Sequence, residues 1–501
     1  MPILKKSRLL MAATGLSVLL SACSMPLFSI EELMQAPKLS ESQNAVYDAL
    51  SRSIGTDNFV LKYPRSGTYR SAFVFYDIDE DNTEEAIVFY QLDASVSSGT
   101  RINILDNRGG HWESVYDVSG EEDSEVDYIQ FESIESADYK NILIGWSIST
   151  ALSPTTQMSI YRYEDTADGV SLANASSDMN RMEYERSIIR DIDADGLTDV
   201  VLLSRRRTNS SYRLQLISSV DGIIDQTDSI SFGENVNGVL NLIFGRLADW
   251  QQALFVDVAL SNSYFATEIL TVKDKCFVPL INVADVNLDD PDLFVERNAE
   301  AEEDVENLED PAPPEDVPEG IEEKDPLLDN FRATLRAQEI LSADFDGDSV
   351  IEVPSTRPMP GYERDEEENE IRDEDMKYLT LLSVYRDGEM VPLMNGYVNL
   401  RAGYFLRFPD RWKDVVTVYA ENDLTLCRFI KYQSDLNDLS IELLRIRRTT
   451  KNDFQDRFET NPILLDSGQN GTVQFYGVIP PAGEEELAIN EAELRTLFFP
   501  F

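Results

Sequence analysis

The sequence contains very little of two residue types that many enzymes and secreted domains depend on, cysteine and histidine. Its 501 residues include three cysteines and one histidine. Cys23, Cys276 and Cys427 are too few for a disulfide framework in a chain of this length. Whether Cys276 and Cys427 pair stays open at this stage, although their positions in different predicted domains favour free thiols.

The scarcity of histidine excludes several kinds of active site. A zinc site built on a histidine cluster is excluded, and a Ser-His-Asp or Cys-His arrangement would have to use His111. No nucleophile stands near His111 in a recognisable setting, and "NRGGHWESV" is typical of a hairpin turn. We therefore predict that His111 is an exposed turn residue. The sequence also has no glycine-rich loop with the spacing of a phosphate-binding motif.

Positive charge is also scarce, since 43 lysines and arginines face 92 aspartates and glutamates and give a net charge of −49. A surface of this kind repels phosphate backbones and anionic lipid headgroups, which excludes nucleic acid as a partner. The same acidity suits divalent cations.

The N-terminus reads as an export signal. Lys5, Lys6 and Arg8 precede the apolar stretch "LLMAATGLSVLL", whose length suits a signal core better than a membrane span. The following "LSAC" resembles the bacterial lipobox, which implies that Cys23 is acylated and becomes the mature N-terminus. We therefore expect a signal peptide at 1–22, a tether at 23–39, and a lipid-anchored protein on the extracellular or periplasmic side of a membrane.

Beyond the tether, one helix precedes a long β-rich region at 40–394. Ser40 and Gln43 form a predicted capping box, and Gly55 can end the helix. Paired apolar runs then recur from near Ala72, Tyr128, Ser187, Leu240 and Ala337, with the first four starts roughly 55 residues apart. This spacing predicts a mainly β fold with a β-propeller-like repeat domain. An acidic insertion at about 285–328 interrupts the repeats and is predicted to be disordered.

Residues 395–501 read as a smaller C-terminal α/β (α+β) domain. Its closing helix is predicted to be capped by Asn490 with Glu493. The turn formed by Phe408, Pro409 and Trp412 is similar to one in PsbP-like domains, which implies a binding or assembly module. An unrelated α+β domain with Trp412 in its core is the alternative.

Three nine-residue loops carry acids at positions 1, 3, 5 and 9. Alternate residues of a tight loop converge, and calcium takes six to eight oxygen ligands, mostly from carboxylates and carbonyls. With the carbonyl of position 7, the predicted ligands are Asp77, Asp79, Asp81, Thr83 and Glu85 in loop 1, Asp191, Asp193, Asp195, Leu197 and Asp199 in loop 2, and Asp344, Asp346, Asp348, Val350 and Glu352 in loop 3. Loop 3 has Gly347 at position 4, so we expect its turn to differ. A plain polar turn or a pair of catalytic carboxylates is the alternative for each loop.

These loops do not fit an EF-hand. An EF-hand needs a bidentate glutamate at position 12 and flanking helices, but position 12 is Val88, Leu202 or Ser355 and the flanks are strand-like. A strand, an Asp-rich loop and a second strand, repeated in units of this size, resemble the FG-GAP or VCBS repeats of integrin-like propellers. The resemblance covers about 72–394 and implies structural Ca²⁺ in the loops.

Two main functions of different kinds are compatible with the sequence, and a purely structural envelope component is a third. The first is a non-catalytic surface lipoprotein that binds or scaffolds an exported protein or a cell-surface polysaccharide. The second is a secreted polysaccharide hydrolase or lyase that uses paired carboxylates on a propeller. With 92 acids in the chain, such pairs arise by chance, so we predict no catalytic residue.

Overall fold

The fold was analysed in a computed structural model. The residues that it describes are 39–92, 99–120, 123–149, 154–166, 169–174, 180–206, 211–283, 286–288, 326–363, 375–420, 425–450, 462–468, 472–481 and 485–501. The predicted signal peptide, the lipidation site at Cys23 and all but the last residue of the tether lie outside these residues, as does most of the acidic insertion.

The described chain is mainly β, with 28 strands in six antiparallel sheets and three α-helices. The prediction of a mainly β fold is therefore confirmed. Some strands are buried along most of their length, as in "AIVFY" and "VVLLS". Burial on both faces explains why these segments are continuous apolar runs instead of alternating patterns. No helix among the described residues is long and apolar enough to cross a membrane.

The chain divides into two compact units, one containing the residues up to Tyr128 together with Glu164–Ser171, and the other containing Ile129–Tyr163 and Leu172–Phe501. In the first unit, helix α1 (Glu41–Ile54) packs on sheet 1 through Val46 and Leu50. Sheet 1 consists of β1 (Phe59–Leu61), β2 (Phe73–Tyr76), β3 (Glu85–Leu92), β4 (Arg101–Arg108) and β5 (His111–Ser119). Its strand order is β1-β3-β4-β5, and β2 also pairs with β3.

Three further sheets follow in chain order. Sheet 2 consists of β6 (Ser124–Glu132), β7 (Asn141–Ser149), β8 (Pro154–Thr166), β9 (Gly169–Asn174) and β10 (Met182–Tyr184), in the order β10-β8-β7-β6 with β9 on β8. Sheet 3 consists of β11 (Arg186–Arg190), β12 (Asp199–Arg205), β13 (Tyr212–Val220) and β14 (Ile223–Ser231), in sequential order. Sheet 4 consists of β15 (Val236–Arg246), β16 (Gln252–Leu260), β17 (Phe265–Lys273) and β18 (Cys276–Ile281), also in sequential order. One apolar cluster joins sheets 3 and 4 through residues such as Leu214 and Phe255.

After helix α2 (Pro326–Arg332), the chain forms two more sheets. Sheet 5 consists of β19 (Val353–Pro358), β20 (Tyr378–Arg386), β21 (Glu389–Asn399), β22 (Tyr404–Arg407) and the final strand β28 (Phe498–Pro500), in that order. Sheet 6 consists of β23 (Val416–Ala420), β24 (Leu426–Lys431), β25 (Glu442–Thr450), β26 (Ile463–Asp466) and β27 (Val473–Val478), in the order β23-β24-β25-β27-β26.

The predicted boundary between residues 394 and 395 falls inside β21. Sheet 5 continues across that position, and β28 from the end of the chain pairs with β22. One apolar cluster also runs from Met359 through Tyr404 and Trp412 to Phe498. The start of the C-terminal region at residue 395 therefore does not coincide with a break in the sheet or in the core.

Several local predictions are confirmed. Ser40 and Gln43 form the capping box of α1, and Gly55 ends it in the left-handed conformation. Asn490 accepts the Glu493 N–H at the start of helix α3 (Glu491–Leu497). His111 is exposed where β5 begins, directly after the turn residues Gly109 and Gly110. Cys276 and Cys427 form no disulfide with each other; Cys276 is exposed, and Cys427 is buried and accepts a hydrogen bond from Asn399.

Candidate metal loops

Each of the three acidic loops closes an antiparallel strand pair in the same register. In loop 1 the residue before position 1, Tyr76, pairs with Glu85 at position 9. The corresponding pairs are Arg190 with Asp199 in loop 2 and Ala343 with Glu352 in loop 3. Loop 3 differs in its first arm, because the segment before it contributes an isolated bridge instead of the strand predicted from near Ala337.

The acids at positions 1, 3 and 5 bind the backbone of their own loop in one repeated pattern. Position 1 accepts the N–H of position 6, at 3.0 Å in each of the three loops. Position 3 accepts the N–H of position 5 at 3.1 to 3.3 Å. Position 5 accepts the N–H of position 7 at 2.7 to 2.8 Å. These bonds turn the carboxylates toward the inside of the loop, as the alternation of residues predicted.

The acid at position 9 lies beneath each loop. Glu85, Asp199 and Glu352 are 0 to 2% exposed. Each accepts the N–H of position 2, at 2.8 Å from Ile78, 3.0 Å from Ile192 and 2.6 Å from Phe345. One carboxylate oxygen of each acid therefore anchors the start of the loop.

The backbone also follows one conformation in all three loops. Positions 4 and 6 have positive φ throughout, from Glu80 and Asn82 in loop 1 to Gly347 and Ser349 in loop 3. The expectation that Gly347 gives loop 3 a different turn is therefore wrong for the backbone conformation, although Gly347 also donates its N–H to Asp344 at 2.7 Å. Gly347 occupies a left-handed position that loops 1 and 2 fill with Glu80 and Ala194. Asn82 and Gly196 adopt the left-handed geometry at position 6, as predicted.

Three acidic clusters in these loops could hold a metal ion. Carboxylate oxygens of Asp77, Asp79 and Glu85 lie within 4.8 Å of one another. The same holds for Asp191, Asp193 and Asp199 in loop 2, and for Asp344, Asp346 and Asp348 in loop 3. One carboxylate oxygen in each loop is buried and accepts no hydrogen bond, namely Asp77 Oδ1, Asp191 Oδ1 and Glu352 Oε1. A buried carboxylate oxygen without a partner is costly, so these atoms fit a site that supplies a cation.

The electrostatics of loops 1 and 3 also fit a missing positive charge. Burial raises the pKa of Glu85 to about 7, although the hydrogen bond from Ile78 lowers it. Burial likewise raises the pKa of Glu352 to about 7, against the hydrogen bond from Phe345. Across the described residues, no lysine or arginine forms an ion pair with the predicted acidic ligands of loop 1 or loop 3.

Loop 2 differs because a lysine from another sheet reaches its carboxylates. The ammonium of Lys275 lies 2.9 Å from Asp193, 2.7 Å from Asp195 and 3.3 Å from Asp199. Burial alone would lower the pKa of Lys275, but hydrogen bonds to these aspartates hold it well above its ordinary value. Sequence reasoning missed Lys275, because it lies 76 residues from Asp199 and carries no motif.

A second buried ion pair was also missed. Arg336 and Asp257 are both fully buried, and Arg336 Nη2 lies 2.8 Å from Asp257 Oδ1. Thr267 and Ser342 donate to the same aspartate at 2.7 Å. "LFVDV" could have signalled it, since an aspartate inside a buried apolar strand needs a partner.

A cleft of about 630 Å³ lies beside loop 1 in the first unit. Its lining combines aromatic rings with acidic and amide side chains, namely Tyr69, Phe75, Tyr76, Asp77, Glu80, Asn82 and Glu84. The rings of Tyr69 and Tyr76 meet edge to face with centroids 6.4 Å apart. The cleft therefore offers flat apolar surfaces together with hydrogen-bonding groups.

Comparison with known proteins adds little to this geometry. No family model matches the chain, and no curated protein matches it. Among solved structures, the chain is similar to the rhamnogalacturonan lyase YesW, with a TM-score of 0.23 and 9% sequence identity. The similarity covers 44% of this chain and 52% of the lyase, so the chain spans about half the length of that structure. A similarity at this level carries no argument about fold or activity.

Proposed function

We propose that the protein is a calcium-stabilised, non-catalytic binding module, built as a propeller-like set of β-sheets and exported as a lipoprotein anchored through Cys23. The observation that carries the proposal is the common geometry of the three acidic loops. Their register, hydrogen bonds and backbone conformation agree although their sequences differ at positions 4 and 6.

Calcium suits loops 1 and 3 better than a softer metal does. Their donors are carboxylates, with backbone carbonyls at Thr83 and Val350, and hard cations prefer oxygen. Asp77, Asp79, Asp81 and Glu85 would hold the ion in loop 1, and the corresponding acids would hold it in loop 3. The ion would offset repulsion between carboxylates that the fold brings together, so its role is structural.

Calorimetric titration of the metal-stripped full chain with Ca²⁺ tests the metal proposal. We expect saturable binding that loses one site in Asp79→Asn and one site in Asp346→Asn. Asp410→Asn is a matched control, because Asp410 begins a short helical turn outside the loops. Absence of saturable calcium binding would contradict the proposal and would show that the loops are plain polar turns.

The cleft beside loop 1 favours a polysaccharide over a protein as the ligand. Aromatic rings can stack on the apolar faces of sugar rings, and the neighbouring carboxylates and amide can accept and donate hydrogen bonds to hydroxyls. The acidic lining and the net charge of −49 disfavour an anionic polymer. An uncharged, hydroxyl-rich polysaccharide fits this chemistry.

Retention on insoluble uncharged glucans in the presence of calcium tests this ligand class. Tyr69→Ala combined with Tyr76→Ala should reduce retention at least tenfold, because both rings line the cleft. Trp250→Ala is the control, since Trp250 is 65% exposed and does not line the cleft. Equal retention of both variants and the wild type would exclude the cleft as the binding site.

The anchor rests on the sequence alone. Incorporation of a radiolabelled fatty acid into the wild type, and its loss in Cys23→Ser, would support acylation at Cys23. Equal labelling of both proteins would contradict it.

A further inference from the structure

We infer that loop 2 uses the ammonium of Lys275 as its own built-in cation in place of a metal ion, so that the protein binds calcium at loops 1 and 3 but not at loop 2. The inference rests on the proposed calcium function of the other two loops. It concerns a lysine that lies outside all three loops in the sequence.

The contacts of Lys275 support this assignment. Its nitrogen is within 3.3 Å of carboxylate oxygens from positions 3, 5 and 9 of loop 2. Two of these three acids, Asp193 and Asp199, belong to the carboxylate cluster that could hold a metal ion. A cation at this place competes directly with a metal for the same oxygens.

The burial of Lys275 also supports a fixed position. The lysine side chain is 16% exposed, and the side chains of Asp193 and Asp199 are 12% and 1% exposed. An ammonium enclosed in this way is costly to move into water or to leave unpaired. Ser218 donates a hydrogen bond to Asp199 as well, so the aspartate has partners on more than one side.

The turn that carries Lys275 indicates the same role. Asp274 and Lys275 are the two residues between β17 and β18, and both have positive φ, at 51° and 58°. Two-residue hairpins of this kind favour glycine at the second position, because a side chain is strained there. A lysine at that position directs its ammonium to loop 2 and offsets the strain with three ionic contacts.

Loops 1 and 3 provide the internal comparison. Both share the conformation of loop 2, but no described lysine or arginine forms an ion pair with their predicted acidic ligands. The cation in loop 2 is therefore supplied by the β17–β18 hairpin and does not follow from the conformation of the loop.

Calcium titration of Lys275→Met tests the inference, since methionine keeps the length of the side chain and removes the charge. The wild type should bind two calcium ions and Lys275→Met should bind three, with the third site lost when Asp193→Asn is added. Lys275→Arg should bind two. Lys273→Met, which removes an exposed charge from the same hairpin, is the matched control and should also bind two. Three sites in the wild type, or two in a folded Lys275→Met, would overturn the inference.

A second measurement does not depend on calcium. In excess chelator, Lys275→Met should lower the melting temperature by about 2–4 °C in the wild-type background. Lys275→Met should lower the melting temperature by less than half as much in an Asp193→Asn background, because one of the carboxylates that Lys275 neutralises has lost its charge. Equal effects in the two backgrounds would overturn the inference. Failure of calcium binding combined with this coupling would reject the calcium proposal alone.

Discussion

Loop 2 and loop 3 share a backbone conformation but differ in what neutralises their negative charge. Both place acids at positions 1, 3, 5 and 9 and share four hydrogen bonds from these acids to their own backbone, to which loop 3 adds a bond from Gly347 to Asp344. Lys275 forms ion pairs with acids at positions 3, 5 and 9 of loop 2, whereas no described lysine or arginine forms an ion pair with the acids of loop 3. A loop geometry therefore predicts where a cation is needed, but not whether the chain itself supplies it.

The largest effect is expected where a cation is completely enclosed. Arg336→Met should destabilise the protein by about 3–5 kcal/mol, because it leaves Asp257 charged, buried and without its ionic partner. Urea denaturation measures the change. Arg495→Met, which removes a surface pair with Glu491, should cost at most about 1 kcal/mol. Similar losses in the two variants would show that enclosure does not determine the strength of such pairs.

The next largest effect concerns calcium in the two loops. At a free calcium concentration 100 times the dissociation constant, one site stabilises the folded state by about 2.7 kcal/mol. Thermal melting measured with and without calcium should show that Asp346→Asn loses this gain. Asp193→Asn should keep it, because Lys275 already pairs with the acids of loop 2. Equal losses in the two variants would remove the distinction between the loops.

A pH effect sharpens the comparison further. The pKa of Glu352 is raised from 4.5 to about 7 by burial, so the stability contributed by its neutral form is present below pH 4.5 and is lost as pH rises through 7. In chelator, Glu352→Gln should therefore stabilise the protein by about 1–2 kcal/mol at pH 8 and have little effect at pH 4.5. In calcium, the same substitution should destabilise it. A gain at pH 8 in both conditions would argue against Glu352 as a ligand.

The smallest effect concerns position 6, where loop 2 has Gly196 and loop 3 has Ser349. Ser349 has a φ of 74°, a conformation that glycine adopts more easily than serine. Ser349→Gly should stabilise the protein by about 0.5–1 kcal/mol, and Gly196→Ser should destabilise it by a similar amount. Chemical denaturation of the two variants measures both changes in the free energy of unfolding. Changes of the same sign would contradict a shared backbone conformation.

The local features of this fold were readable from the sequence because short-range chemistry determines them. The caps of α1 and α3, the turn at His111 and the convergence of the acids at positions 1, 3 and 5 follow from residues within a few positions of each other. Alternate residues of a tight loop point the same way whatever surrounds them, so the candidate clusters were predictable.

The features that the sequence did not reveal depend on distant partners. Lys275 meets loop 2 across 76 residues, and Arg336 meets Asp257 across 79. The pairing of β28 with β22 is also long-range, and it places the end of the chain in sheet 5. The sheet and its core therefore continue across the predicted boundary at residue 395. Such contacts are set by the packing of whole sheets, which a local pattern does not encode.

The ion pair between Arg336 and Asp257 also bears on how the protein could be divided. Arg336 lies after the segment 289–325 and Asp257 lies before it, and Phe265 and Arg336 exchange two backbone hydrogen bonds. The polypeptides on either side of that segment are therefore joined by a buried contact that needs no peptide bond between them. We expect residues 1–288 and 326–501, produced as two separate chains, to assemble into one complex.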